Sequence, residues 1–114
     1  MFQLSCHCGK VMLSVDADPP TEAISCNCSH CRRKGLLLSF LPAEQVTLDQ
    51  GEADLVTYNF NKHVIHHRFC AACGCQPFAE GVRDGMKMRA VNLRCAPHVD
   101  LDALTIKKVD GASY

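Results

Sequence analysis

Nine cysteines in 114 residues constrain this chain more than any other feature, because seven of them fall into three tight groups. Cys6 and Cys8 lie in "CHC", Cys26, Cys28 and Cys31 in "CNCSHC", and Cys70 and Cys73 in "CAAC". Cysteines this close together are poorly placed to bridge one another, and their number is odd. The start, "MFQLSCHCGK", shows no basic region, apolar stretch or cleavage site of a secretory leader. Metal knuckles in a cytoplasmic protein are therefore expected rather than a secreted disulfide scaffold.

Ligand counting divides the groups. A tetrahedral zinc that only holds a fold together takes four protein ligands, whereas one that does chemistry keeps a position for water or substrate. Two ligands from one tight turn cover two corners, so the first and third groups together close a four-cysteine site. The middle group is left with three. The rival pairing completes the middle group with Cys75 or Cys95 and makes two closed sites; spacing leaves both open. Histidines are the other candidates for a fourth corner. His30 would need the chain to turn back on itself, and His7 is expected to point outward. His63, His66 and His67 fall on an expected strand, with His63 and His67 on one face and His66 on the other, and are read as exposed or half-buried strand residues.

Composition suits a metal-stapled domain. The chain is 6% aromatic and has no tryptophan, so large core side chains are few and a metal would supplement hydrophobic burial. A single domain, residues 1–114, is expected, with no internal repeat beyond the knuckles. Lys and Arg total 12 against 12 for Asp and Glu. Seven thiolates on two dipositive ions would add about −3, so the loaded protein would be mildly acidic. That argues against a nucleic-acid partner held by a broad basic face. No apolar run approaches the length of a membrane span.

Short alternating segments separated by turn residues predict a mainly β fold. "FQLS" and "VMLSVDA" read as a hairpin around the first knuckle, "EAISC" as a strand into the second, and "GLLLSFL" as a buried strand. "QVTLD", "DLVTYNF" and "HVIHHRF" read as a meander with turns at Gln50-Gly51 and near Asn61-Lys62. Gly74 stands just after "CAAC", where a positive φ is often needed. "KMRAVNLRC" alternates as a strand, "VDLDALTI" is ambiguous, and a late Asp-Gly turn follows. Glu52, Asp84 and Arg94 carry no motif, and Glu80 in "FAEG" reads as a surface turn.

The order CxCG, CxCSxC and FCxxCG, together with "GEADLVTYNF", "HHRFCAACGCQPF" and "AVNLRCAPHVDLDAL", resembles the glutathione-dependent formaldehyde-activating enzyme (Gfa)/centromere protein V family across nearly the whole chain. The resemblance implies a β-tent of twisted antiparallel sheets. It makes Cys6, Cys8, Cys70 and Cys73 ligands of a structural zinc, and Cys26, Cys28 and Cys31 ligands of a catalytic zinc, two ions per chain. It also implies carbon-sulfur lyase chemistry on glutathione and formaldehyde, joined as S-hydroxymethylglutathione. Cys75 stands where a small polar residue is more usual in such a motif.

A free thiol near pKa 8.5 is only a few per cent ionised at neutral pH, whereas a zinc-bound thiol is deprotonated. Three thiolates on a dication leave about −1, and Arg32, Arg33 and Lys34 follow the last of them directly. Arg32 and Arg33 are the expected contacts for an anionic thiol such as glutathione; a solvated basic turn is the plainer reading. Two other functions fit the cysteines: a noncatalytic zinc module that binds a macromolecule, and a redox-sensitive zinc-thiolate site.

Overall fold

The computed structural model describes residues 1–59 and 65–111. His63 and the turn expected near Asn61-Lys62 lie outside the described residues. Two sheets share one core. In β1 (Phe2–Ser5) and β2 (Met12–Val15), Phe2, Leu4, Leu13 and Val15 are buried while Gln3 faces out, the alternation that a half-covered strand imposes. They pair antiparallel from Phe2↔Val15 to Ser5↔Met12, and β5 (Val46–Gln50) adds to β2.

The larger sheet contains β3 (Glu22–Cys26), β4 (Leu38–Pro42), β6 (Leu55–Tyr58), β7 (His66–Cys70), β8 (Phe78–Arg83), β9 (Met86–Asn92) and β10 (Thr105–Val109). Its spatial order is β10-β3-β4-β9-β8-β7-β6. Phe2, Leu4, Val11, Leu13 and Val15 pack in one buried cluster with Phe78, Val91 and Leu93. Asp84 (φ 52) and Gly85 (φ 78) make the two-residue turn between β8 and β9, with Arg83↔Met86 as the closing pair. Positive φ at both turn residues matches the twist of the flanking strands.

The outcome is the mainly β arrangement of sheets and cysteine knuckles that the sequence predicts, with five corrections. The meander is β6-β7-β8-β9, because β5 leaves for the small sheet. β10 runs parallel to β3, from Thr105↔Glu22 to Val109↔Cys26, so the sheets are not wholly antiparallel. "GLLLSFL" is strand only from Leu38. Glu80 lies within β8 rather than in a turn, and Arg68 donates to its carboxylate at 2.6 Å.

The fifth correction concerns the middle cysteine group, which winds into a short helix, α1 (Ser29–Lys34). Cys28 is its N-cap, with Sγ accepting from the Cys31 backbone N–H at 3.2 Å. Sulfur thus does what a Ser or Asp oxygen usually does at that position. Gly35 closes the helix in the left-handed region at φ 66, donating its N–H to the Cys31 carbonyl at 2.9 Å. Arg32, Arg33 and Lys34 fill the last turn, where cations complement the helix dipole. That is a structural reason for the basic run, independent of any ligand.

Candidate metal centres and the cavity beside them

The Cys6, Cys8, Cys70 and Cys73 thiols lie within 4.8 Å of one another, although 62 residues separate Cys8 from Cys70. Cys6 and Cys8 come from the β1–β2 turn, Cys70 ends β7, and Cys73 sits in the following turn. The Sγ separations are 3.5 Å for Cys6–Cys8 and 3.7 Å for Cys8–Cys70. A tetrahedron with metal-sulfur bonds of about 2.3 Å requires sulfurs ~3.8 Å apart, so the donor set fits a four-sulfur metal. The knuckle is shored up from outside. Gln50 donates to the Gly9 carbonyl at 3.1 Å, and at Gly51 (φ 98) a Cβ would run into the backbone of Lys10 and Val11.

The protein environment pulls these thiols in opposite directions. Burial raises Cys6, but the Val11 N–H, 3.3 Å from its sulfur, and neighbouring thiols outweigh it and lower it. Backbone N–H bonds at Cys75 and Cys8 bring Cys73 down to about 5. The Lys10 backbone favours the Cys8 thiolate, yet burial and the adjoining sulfurs push it up to about 11. Thiolates this close repel; a bound dication removes the conflict.

Cys26, Cys28 and Cys31 form a second group within 4.8 Å, and among the described residues no fourth His, Cys, Asp or Glu joins it. Cys26 ends β3 and Cys31 is buried in α1. They pack with Leu36, Leu38, Ala79 and Ala90, a cluster separate from the main core. The same split recurs. Burial raises Cys31, reinforced by Cys28, whereas burial at Cys28 is outweighed by the Cys31 and His30 backbone N–H groups, which lower it. Three soft sulfur donors fit a metal with one position left over.

The rival pairing finds no support. Cys75 and Cys95 pack against the main core, beside Cys73. Cys95 donates to the Gln76 carbonyl at 3.7 Å, and burial pushes its thiol up to about 12. His30 does not join the group, and its ring packs on His67 of β7 at 3.9 Å between centroids, with Tyr58 stacked at 5.7 Å. His67 is only 4% exposed, which corrects its reading as an exposed or half-buried strand residue; His66 does face outward.

Beside the three-cysteine group lies an open cavity of about 700 Å³, within the range of small-molecule sites. Cys26 and Cys31 line it, and so do Arg32, Arg94, Lys108 and Asp110. Arg33 does not: its guanidinium donates to the Ser29 carbonyl at 2.8 Å, one turn back on the helix. Lys34 points elsewhere too, bonding Gln76 at 3.1 Å with its ammonium over the Phe69 ring. Glu80 is held by Arg68 and does not line this cavity.

The family model of the glutathione-dependent formaldehyde-activating enzyme matches residues 1–102. The chain belongs to this family. A crystal structure of a Rhodobacter sphaeroides protein is similar at a TM-score of 0.82 and 26% identity, covering 94% of this chain and 99% of that one. The family match takes in both cysteine groups, Arg32 and Arg94, but ends before β10.

In this Gfa-family chain, sequence reading missed Arg94 and Lys108 as cavity residues. Arg94 stands in a family-like segment that assigns it no role and Lys108 in none, and only tertiary structure carries the turn after β9 and the strand β10 to the cysteines. The helix α1 was signalled, since a basic triplet followed by glycine is the composition of a helix C-terminus. Asp84-Gly85 between alternating segments was likewise a hairpin signal.

Proposed function

We propose that this protein is a zinc-dependent carbon-sulfur lyase-type enzyme acting on a thiol/aldehyde adduct, S-hydroxymethylglutathione being the candidate that family membership supports. Cys6, Cys8, Cys70 and Cys73 would hold a structural zinc, and Cys26, Cys28 and Cys31 a second zinc whose remaining position faces the substrate. The observation that carries this reading is the three-thiol group without a fourth ligand among the described residues, beside a cavity of about 700 Å³. Bound there, zinc would lower the pKa of a ligating thiol and act as a Lewis acid.

The protein's own residues contribute position and charge. Backbone N–H groups of Cys28 and Cys31 donate to the sulfurs of Cys26 and Cys28 at 3.5 and 3.2 Å, which holds both sulfurs in place, and at Cys28 the bond favours the thiolate. Arg32, one residue after the last cysteine and lining the cavity, would draw in an anionic thiol and offset the negative sulfurs. In the forward direction the substrate sulfur bonds to the aldehyde carbon, and the carbonyl π pair moves to oxygen, which takes a proton. In reverse, that hydroxyl loses its proton and the sulfur leaves with the carbon-sulfur bonding pair.

Turnover of S-hydroxymethylglutathione and a small panel of other thiol/aldehyde adducts by zinc-loaded protein tests the reading, with Cys28→Ser as control. The expected result is acceleration over the spontaneous reaction, abolished by the substitution. X-ray absorption should show one all-sulfur shell and one of three sulfurs plus a light atom. No acceleration with any adduct, or two all-sulfur shells, would replace the lyase with a noncatalytic zinc module.

A further inference from the structure

We propose that Arg94 and Lys108 set the ligand preference of the cavity beside Cys26 and Cys31, selecting a thiol whose remainder carries an anionic group away from the sulfur. The inference builds on the thiol-binding reading above and goes past it to the residues that discriminate. Three cations line the cavity, each from a different element: Arg32 from α1, Arg94 from the 3-10 turn Leu93–Cys95, and Lys108 from β10. Among the described residues, none of the three forms an ion pair with a carboxylate, whereas Arg68 and Arg89 are both tied to Glu80.

Arg94 is held in place. Its Nε donates to the Gly35 carbonyl at 2.7 Å, fixing the guanidinium to the end of the helix that carries Cys31. Lys108 sits level with Ser25 in the parallel β3–β10 ladder, one residue before the position level with Cys26. The one carboxylate in the lining, Asp110, accepts from Asn27 at 3.0 Å. Positive charge therefore exceeds negative on the lining outside the cysteines, and a low-dielectric concavity strengthens its pull on an anion. A ligand with its sulfur at the cysteines and a carboxylate further along would meet complementary charge at both ends. Arg32 lies too close to the sulfurs in sequence to separate these two effects; Arg94 and Lys108 do not.

Lys108 also lies beyond the region matched by the family model, which ends at residue 102. The preference is thus built partly from a strand outside the family's shared stretch.

The test is calorimetric titration of zinc-loaded protein with S-methylglutathione, whose blocked sulfur removes turnover and thiolate ligation from the readout. Wild-type protein is expected to bind it, Arg94→Gln and Lys108→Gln each to weaken binding about tenfold, and Lys108→Arg to restore it. The dimethyl ester of the same probe should bind wild-type protein no better than the parent probe binds a protein carrying both Arg94→Gln and Lys108→Gln. Circular dichroism and retention of two zincs verify that each variant is folded. Absence of wild-type binding, equal binding of the ester, or unchanged affinity in both variants would overturn the proposal. Charge-dependent binding without turnover of any adduct would sink the lyase reading and leave this one standing. Turnover with charge-indifferent probe binding would do the reverse.

Discussion

His67 shows how one residue's surroundings fix its chemistry. Lys34 donates to Gln76 Oε1 at 3.1 Å, which turns the Gln76 amide so that its Nε2 donates to His67 Nδ1 at 3.0 Å. That places the His67 proton on Nε2 and leaves the ring neutral. Burial, and then the positive charges of His30, Lys34 and His66, depress its pKa from 6.5 to about 4. Between those values the unfolded chain binds a proton that the folded chain refuses. Stability present above pH 6.5 is therefore lost as the pH falls toward 4, at up to about 1.4 kcal/mol per pH unit. In His67→Gln this slope should flatten by about one proton relative to wild type. Denaturant titrations of both proteins across that range check it, and comparing the two cancels acid effects on the thiols. Parallel slopes would mean that His67 titrates alike in both states.

At the scale of elements, β10 does more than extend the sheet. Asn27 continues the ladder by donating its backbone N–H to the Val109 carbonyl at 3.1 Å, and its side chain holds Asp110. These contacts bring Gly111 directly over the second cysteine group, where a Cβ would overlap Cys26 Sγ and touch Cys28 Cβ at 3.4 Å. Gly111→Ala must either peel the strand end away or rotate the Cys26 thiol. Zinc affinity at that site should drop about 10–100-fold, with the four-cysteine site unaffected. Competition with a colorimetric chelator would show one zinc released early, and two zincs of unchanged affinity would refute the argument. Nothing in "KKVDGASY" hints at this contact, because it depends on a parallel pairing across 83 residues, from Asn27 to Asp110. The cysteines were legible for the opposite reason: ligands within one tight turn are fixed by local spacing, whatever the rest of the chain does. Strands with strict alternation, such as β1 and β2, were legible too. The misplaced β5 shows the limit, since alternation marks a strand but not its sheet. Sequence neighbours were assumed to be spatial ones, and Gly51 instead turns the chain against the first knuckle.

Across the whole molecule the two cysteine groups have different mechanical roles. The four-cysteine group joins the β1–β2 turn of the small sheet to the end of β7 in the large one, closing a long loop between Cys8 and Cys70. The three-cysteine group ties β3 only to the helix immediately following it. A structural zinc contributes about 10–16 kcal/mol of apparent binding free energy, against a net stability of about 5–15 kcal/mol for a whole domain. With zinc bound at the four-cysteine group, a sheet-to-sheet join of that size would be as large as the whole stability of the protein it joins. Shared burial of Phe2, Leu4 and Leu13 against Phe78 and Val91 would then work with such a metal rather than replace it. Cys70→Ser removes a fully buried thiol of the four-cysteine group at the sheet junction. It should abolish cooperative thermal unfolding or lower the midpoint by tens of degrees, since 1 kcal/mol is worth about 4–8 °C in a chain near this size. Cys28→Ser breaks only the local tie and caps α1 with an oxygen in place of sulfur, so it should retain the β-sheet circular dichroism and most of the wild-type midpoint while binding one zinc fewer. A Cys28→Ser protein as unstable as Cys70→Ser would show that the second site also supports the fold, and the division into a holding site and an open one would have to be abandoned.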